Sequence, residues 1–215
     1  MNQKRAIPAL KVVLWLSALS PITWIVVGLF NDGLGGNPTE KMTHVTGMTT
    51  LVLLLVTLSV SPIRRFSGWN PVIRLRRPLG LFAFFYASVH FTIWVVFYNL
   101  GDVQYMIEDI VERPYITVGF SAFVVLAPLA ATSTKGWIRR LGKNWTRLHM
   151  GIYIAATLGV VHFYWLVKAD ARLPLFLGAC LAVLLILRSP QIINAQAEHR
   201  RRSKLRGATA PSPTR

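Results

Sequence analysis

RLHMGIYIAATLGVVHFYWLV, residues 147–167, is the stretch on which the fold turns. Past Arg147 it contains no Asp, Glu, Lys or Arg, over the roughly 20 residues that an α-helix needs to cross a hydrocarbon core. It also carries a histidine near each end, His149 and His162. The segment reads as a membrane span, and the two imidazoles require a reason to be there.

The same pattern recurs along the chain. Residues 12–30, 45–61, 79–100, 115–134 and 173–187 are apolar and free of ionised side chains. The composition is 53% hydrophobic and 15% charged, with a mean hydropathy of +0.46, which argues against an ordinary soluble domain. The expected fold class is an all-α integral membrane protein, a six-transmembrane-helix bundle over residues 1–190, followed by a basic, disordered tail at 191–215. The last stretch is short, so Arg188 at its end is expected to snorkel to the interface. The first follows Lys4, Arg5 and Lys11 in the manner of a signal peptide. Its apolar run exceeds a typical h-region and no small-residue cleavage site follows, so it is expected to be a retained helix.

Charge sets the orientation, because short cytoplasmic loops collect Lys and Arg. With both termini in the cytoplasm, Arg64, Arg65, Arg74, Arg76, Arg77, Lys135, Arg139, Arg140, Lys143 and Arg147 fall inside, and only Lys41, Arg113, Lys168 and Arg172 fall outside. The acids reverse this: Asp32, Glu40, Asp102, Glu108, Asp109, Glu112 and Asp170 are outside, with Glu198 alone inside. The net charge of +16 is thus spread over segments of one membrane face. That distribution fits a lipid bilayer with anionic headgroups and argues against a nucleic-acid partner. The single cysteine, Cys180, lies within the last span and excludes a disulfide framework. Between Gly101 and Arg113, acids alternate with Val103, Tyr105, Met106 and Ile107, a pattern compatible with a short amphipathic segment on the outer face.

Four histidines lie in or at the ends of spans: His44, His90, His149 and His162. Intramembrane polar groups serve as interhelical hydrogen bonds, proton relays or ligands, and relays generally recruit carboxylates, which these spans lack. Neutral imidazole in apolar surroundings points to haem. At about 1.5 Å per residue, His90 lies roughly 17 Å and His162 roughly 21 Å from the inner edge, so the two can take one iron from both sides. His149 sits at the inner edge and His44 at the outer edge. On a straight helix His149 and His162 point about 140° apart. A bend at Gly151 or Gly159, or cofactors approached from different sides, is then required. Ser88, Thr92, Tyr86 and Tyr98 around His90, and Tyr153, Tyr164 and Trp165 on the fifth span, are candidates to bond the imidazoles or pack on a porphyrin, or are simply bundle packing.

The histidines, together with HVTGMTTLVLLLVTLSVSPIRR from His44, IRLRRPLGLFAFFYASVHF from Ile73, ERPYITVGF from Glu112 and LGKNWTRLHMGIYIAATLGVVHFYW from Leu141, resemble the ferric-reductase-like transmembrane family. Within it they look most like the haem-binding subunits of bacterial methionine sulfoxide reductase systems. The resemblance implies a multi-pass protein of the bacterial inner membrane with haem b, one or two, and FMN. It implies electrons taken from the quinone pool or a cytosolic flavin reductase and passed to a periplasmic molybdopterin-dependent methionine sulfoxide reductase. His90, His149 and His162 match the family's haem-associated histidines. The larger relatives carry a second histidine on the third helix where this chain has Arg76 and Arg77. Paired guanidiniums suit an anion, so these two with His149 are candidates to hold an FMN phosphate or haem propionates. No Gly-rich dinucleotide fingerprint occurs, so the reductant must come from elsewhere. His44 is a candidate further ligand, quinone contact or outer-face hydrogen-bond donor. The alternatives are a stand-alone quinol-dependent or ferric reductase cytochrome, or a small transporter or scaffold whose histidines only hydrogen-bond.

Overall fold

A computed structural model describes residues 3–167 and 169–189, among which all regular structure is helical. Helix α1 spans Gln3–Phe30 and α2 Pro38–Ser67. A 3-10 segment, Asn70–Leu75, leads into α3, Arg76–Ile93, which ends in a π-helical turn, Trp94–Tyr98. Then follow α4 Val103–Glu112, α5 Pro114–Ala131, α6 Lys135–Leu141, α7 Lys143–His149, α8 Gly151–Leu166 and α9 Arg172–Ile186. The tail 191–215, with Glu198 and His199, lies outside the described residues.

Five segments are long and apolar enough to cross a membrane: Ile7–Phe30, Pro38–Ser67, Asn70–Tyr98, Pro114–Ala131 and Lys143–Leu166. Helix α9 is apolar but has only 15 residues, about 22 Å at the α-helical rise, short of a hydrocarbon core of about 30 Å.

Helix ends follow local chemistry. Asn37 caps α2 by accepting the N–H of Glu40 at 3.2 Å, Pro38 occupies the first turn, and Gly68 closes the helix at φ 69°, its N–H donating to Arg64. That left-handed position suits a residue without Cβ. Asp102 caps α4 by accepting from Gln104 N–H at 2.8 Å. The amphipathic segment expected here is this helix. It exposes Val103, Tyr105, Ile107 and Val111 and turns Asp109 inward to accept from Trp94 Nε1 at 3.2 Å.

Helix α2 packs along α3, and α5 along α8. The core joins Leu51, Leu54 and Leu58 of α2 to Ala83 and Ala87 of α3, Leu126 and Leu129 of α5, and Ala155 and Ala156 of α8. Alanine at these positions lets backbones approach closely, which is how helices associate where lipid removes the hydrophobic drive between them. Large side chains such as Val12, Leu16, Val124 and Ile154 instead face outward, as a lipid-facing surface requires.

Helix α1 is held by a polar contact. Pro21 lies inside it and has no N–H to continue the ladder. The fully buried Tyr86 of α3 donates its hydroxyl to the Ala18 carbonyl at 2.5 Å and accepts the N–H of Ile22 at 3.1 Å. These two backbone groups are four residues apart, one rung of the helical ladder, and the phenol bonds both.

Candidate cofactor site

Between α2, α3, α5 and α8 lies a cavity of about 730 Å³, within the range of small-molecule and cofactor sites. Its walls include Met48, Leu51, Phe91, Phe123 and Leu126, and both His90 and His162 face into it. It reaches the face that carries the acidic loops, where Asn37, His44, Lys41 and Arg113 line its mouth.

The two imidazoles, from α3 and α8, have ring centroids 6.2 Å apart and planes at 87°. His90 Nδ1 lies 3.0 Å from the Thr43 carbonyl oxygen and 3.3 Å from Thr46 Oγ1. His162 Nδ1 lies 2.7 Å from the Tyr115 carbonyl oxygen. A carbonyl can only accept, so Nδ1 carries the proton in each ring. In the neutral tautomer Nε2 is then the unprotonated nitrogen, the form that binds a metal.

Each ring also rests on a glycine. A Cβ at Gly47 would fall 2.9 Å from His90 Cε1, and one at Gly119 would fall 2.6 Å from His162 Nδ1. In both cases the carbonyl and the glycine are four residues apart on one helix, Thr43 with Gly47 on α2 and Tyr115 with Gly119 on α5. One helical turn thus supplies both the acceptor and the clearance that lets the imidazole reach it.

The donor set fits a bis-imidazole iron centre. The two rings stand 6.2 Å apart, and in each the nitrogen left without a proton is free to bind a metal. Such a site needs apolar walls and second-shell acceptors on the ligands, and the cavity has both.

The model of the family described as ferric reductase like transmembrane component matches residues 42–160. The chain belongs to the ferric-reductase-like transmembrane family. Among its relatives are three curated proteins called "Protein-methionine-sulfoxide reductase heme-binding subunit MsrQ". That of Herminiimonas arsenicoxydans is 49% identical over 83% of this chain and 84% of its own length. That of Xanthomonas axonopodis pv. citri is 46% identical over 91% and 92%, and that of Bordetella pertussis 48% identical over 84% and 89%. The segment of this ferric-reductase-like chain that the family model matches contains His44, Arg76, Arg77, His90 and His149 and stops before His162.

The other expected site residues lie apart from the imidazole pair. His44 is exposed and meets Phe163 edge-on at 6.3 Å. His149 ends α7, where the helix is interrupted at Met150, beside Gly151; Gly159 sits in unbroken helix. Its ring stacks on Trp145 at 3.9 Å, with Nδ1 3.1 Å from the Trp145 carbonyl and Nε2 3.4 Å from Ser133 Oγ. Both ring nitrogens therefore have protein partners, unlike the free Nε2 inferred for His90 and His162. Arg76 is half-buried, within electrostatic range of His149, Tyr153 and Arg188, while Arg77 is exposed.

For several side chains the structure selects among the readings left open. Tyr86 serves α1, and Ser88 and Thr92 donate to carbonyls of their own helix, Phe84 and Ser88. The bonds to His90 and His162 come instead from the backbones of neighbouring helices. The Arg188 guanidinium folds back onto the bundle. Its Nη1 donates to Tyr153 Oη at 2.6 Å and its Nη2 to the Leu58 carbonyl at 2.5 Å, with the guanidinium 5.4 Å from the Tyr153 ring. Thr43, Gly47, Tyr115, Gly119 and Arg188 are the participants that sequence reasoning missed. For the glycines the available signal was a small residue on an otherwise bulky span.

Proposed function

We propose that this chain is the haem-binding membrane subunit of a methionine sulfoxide reductase system. In this reading the bundle has six transmembrane helices over 1–190, with α9 as the sixth, a cytoplasmic tail at 191–215 and both termini in the cytoplasm of a bacterium. The separation of cations and acids supports that orientation. It puts the mouth of the cavity on the periplasmic side of the inner membrane.

His90 and His162 would hold haem b through Nε2. The observation that carries the reading is the pair itself: two imidazoles, each proton-fixed by a carbonyl and seated on a glycine, 6.2 Å apart in an apolar cavity. Bound there, haem b would supply one-electron transfer. The Thr43 and Tyr115 carbonyls hold the Nδ1 protons and raise the basicity of the ligands. Met48, Leu51, Phe91 and Phe123 exclude water, and Lys41 and Arg113 add positive charge at the mouth. His149, with Arg76 and Arg77, would serve a second site at the opposite face for FMN or a second haem; His44 would contact quinone or a ligand at the outer edge. Electrons would come from the quinone pool or a cytosolic flavin reductase and leave to a periplasmic molybdopterin-dependent methionine sulfoxide reductase, whose name the relatives share in part.

The test is a visible spectrum of full-length protein purified after expression with ample haem. A Soret band with a bis-histidine signature is expected, and its absence would overturn the proposal. Reoxidation of the reduced protein by a periplasmic methionine sulfoxide reductase then tests the partner.

A further inference from the structure

Opposite the cavity mouth, on the face that carries the arginine-rich loops, a second cluster is built around Arg188. Two of its guanidinium nitrogens are engaged, Nη1 with Tyr153 and Nη2 with Leu58. Its Nε is buried and has no hydrogen-bond partner among the described residues. A buried N–H without an acceptor is costly, more so on a charged group. Arg76 stands within electrostatic range of Arg188, so two guanidiniums share one half-buried region. Among the described residues the ion pairs are Asp109 with Arg113 and Asp170 with Arg172, and none neutralises this pair. Among the described residues, like charges brought together with no counter-charge, beside an unsatisfied donor, form an arrangement that suits an anion.

We propose that Arg188, Arg76 and Tyr153 form a binding site for a phosphate group at this face. The planar guanidinium fork suits a tetrahedral oxyanion, and Tyr153 holds the fork of Arg188 in place from α8. The Leu58 carbonyl does the same from α2, so two helices fix the fork of Arg188 before any ligand arrives. The phosphate has two possible sources, the FMN of the proposed second site or an anionic lipid headgroup. The inference stands on the residues and does not require the flavin.

Full-length protein in phosphatidylcholine nanodiscs would be titrated with FMN and with riboflavin, which lacks the phosphate, following flavin fluorescence. In parallel, protein extracted with native lipid would be assayed by native mass spectrometry for phosphatidylglycerol retained over phosphatidylcholine. The expected result is a tenfold or greater preference for FMN over riboflavin, or for phosphatidylglycerol over phosphatidylcholine, abolished by Arg188→Gln and by Arg76→Gln and unchanged by Arg139→Gln, at an exposed arginine of the same face. Success in the lipid arm alone keeps this site and refutes FMN there; success in the flavin arm assigns the phosphate to FMN. If neither arm depends on Arg188 or Arg76, the proposal is overturned. Should Arg188→Gln not fold, Arg188→Lys, which keeps the charge and loses the fork, must show the same loss of preference; if it binds as the wild type does, the proposal falls.

Discussion

His162 Nδ1 lies 2.7 Å from the Tyr115 carbonyl oxygen, so the ring on α8 takes its orientation from the first turn of α5. The same arrangement recurs between His90 and Thr43 at 3.0 Å, where α2 orients a ring on α3. Two helices carry the imidazoles and two others aim them. The pairings are those of the closely packed helices, α2 with α3 and α5 with α8.

The glycines test this directly. Gly119→Ala would place a methyl 2.6 Å from His162 Nδ1, and Gly47→Ala one 2.9 Å from His90 Cε1. Each ring must then leave its carbonyl. Overpacking of this kind costs about 1–3 kcal/mol. Haem content by pyridine haemochrome is expected to fall in both variants, and full occupancy with an unaltered spectrum would refute the seating on glycine.

His90→Ala and His162→Ala are each expected to remove the same haem, read as loss of one Soret component and one redox transition. His149→Ala should spare that component, because its ring contacts Trp145 and Ser133 and not the cavity. Retention of a bis-histidine spectrum in both of the first two variants would show that the pair does not hold iron.

Haem removal is expected to destabilise the bundle. A ligand that binds only the folded state stabilises by about 4 kcal/mol when free at a thousandfold its Kd. Thermal melts of haem-depleted and haem-replete protein should therefore differ by several degrees, and His162→Ala should erase the difference.

Orientation can be read by labelling. Glu108 and Arg140 are both exposed, on opposite sides of the proposed topology. In intact spheroplasts Glu108→Cys should react with a membrane-impermeant maleimide and Arg140→Cys only after lysis. The opposite pattern would invert the assignment of faces.

Tyr86→Phe leaves the Ala18 carbonyl and the Ile22 N–H without the phenol that now joins them. A buried group left unpaired costs about 1–3 kcal/mol. The unfolding midpoint should drop by a corresponding amount with the haem spectrum unchanged; a spectral shift would place Tyr86 in the cofactor site after all.

The spans were legible because lipid forbids charge over a fixed length, a rule that needs no tertiary information. The depths of His90 and His162 were legible for a similar reason: helical rise is constant, so distance along the chain becomes distance across the membrane. Which atoms hold the rings was not legible. Thr43 and Tyr115 act through backbone carbonyls, which every residue possesses, and nothing in their side chains marks them. The partners of Arg188 were not legible either. A cation at the end of a short apolar segment has two solutions, outward to the headgroups or inward to a hydroxyl and a carbonyl. Only the packing of Tyr153 and Leu58 decides between them. Arg76 and Arg77 are neighbours in sequence, yet consecutive residues on a helix point about 100° apart, and one faces the cluster while the other is exposed.

The phenol that bonds α1 bears on how the protein is assembled. Ala18 and Ile22 precede Tyr86 by 68 and 64 residues, so during synthesis the first helix emerges long before the group that satisfies it. Until α3 arrives those two groups have only each other, along the helix, as partners. The first helix is thus a segment that waits, locked into the bundle only once the third has been delivered. Crosslinks between Ala18 and Tyr86 positions in nascent chains of increasing length should appear only after the third span has left the ribosome.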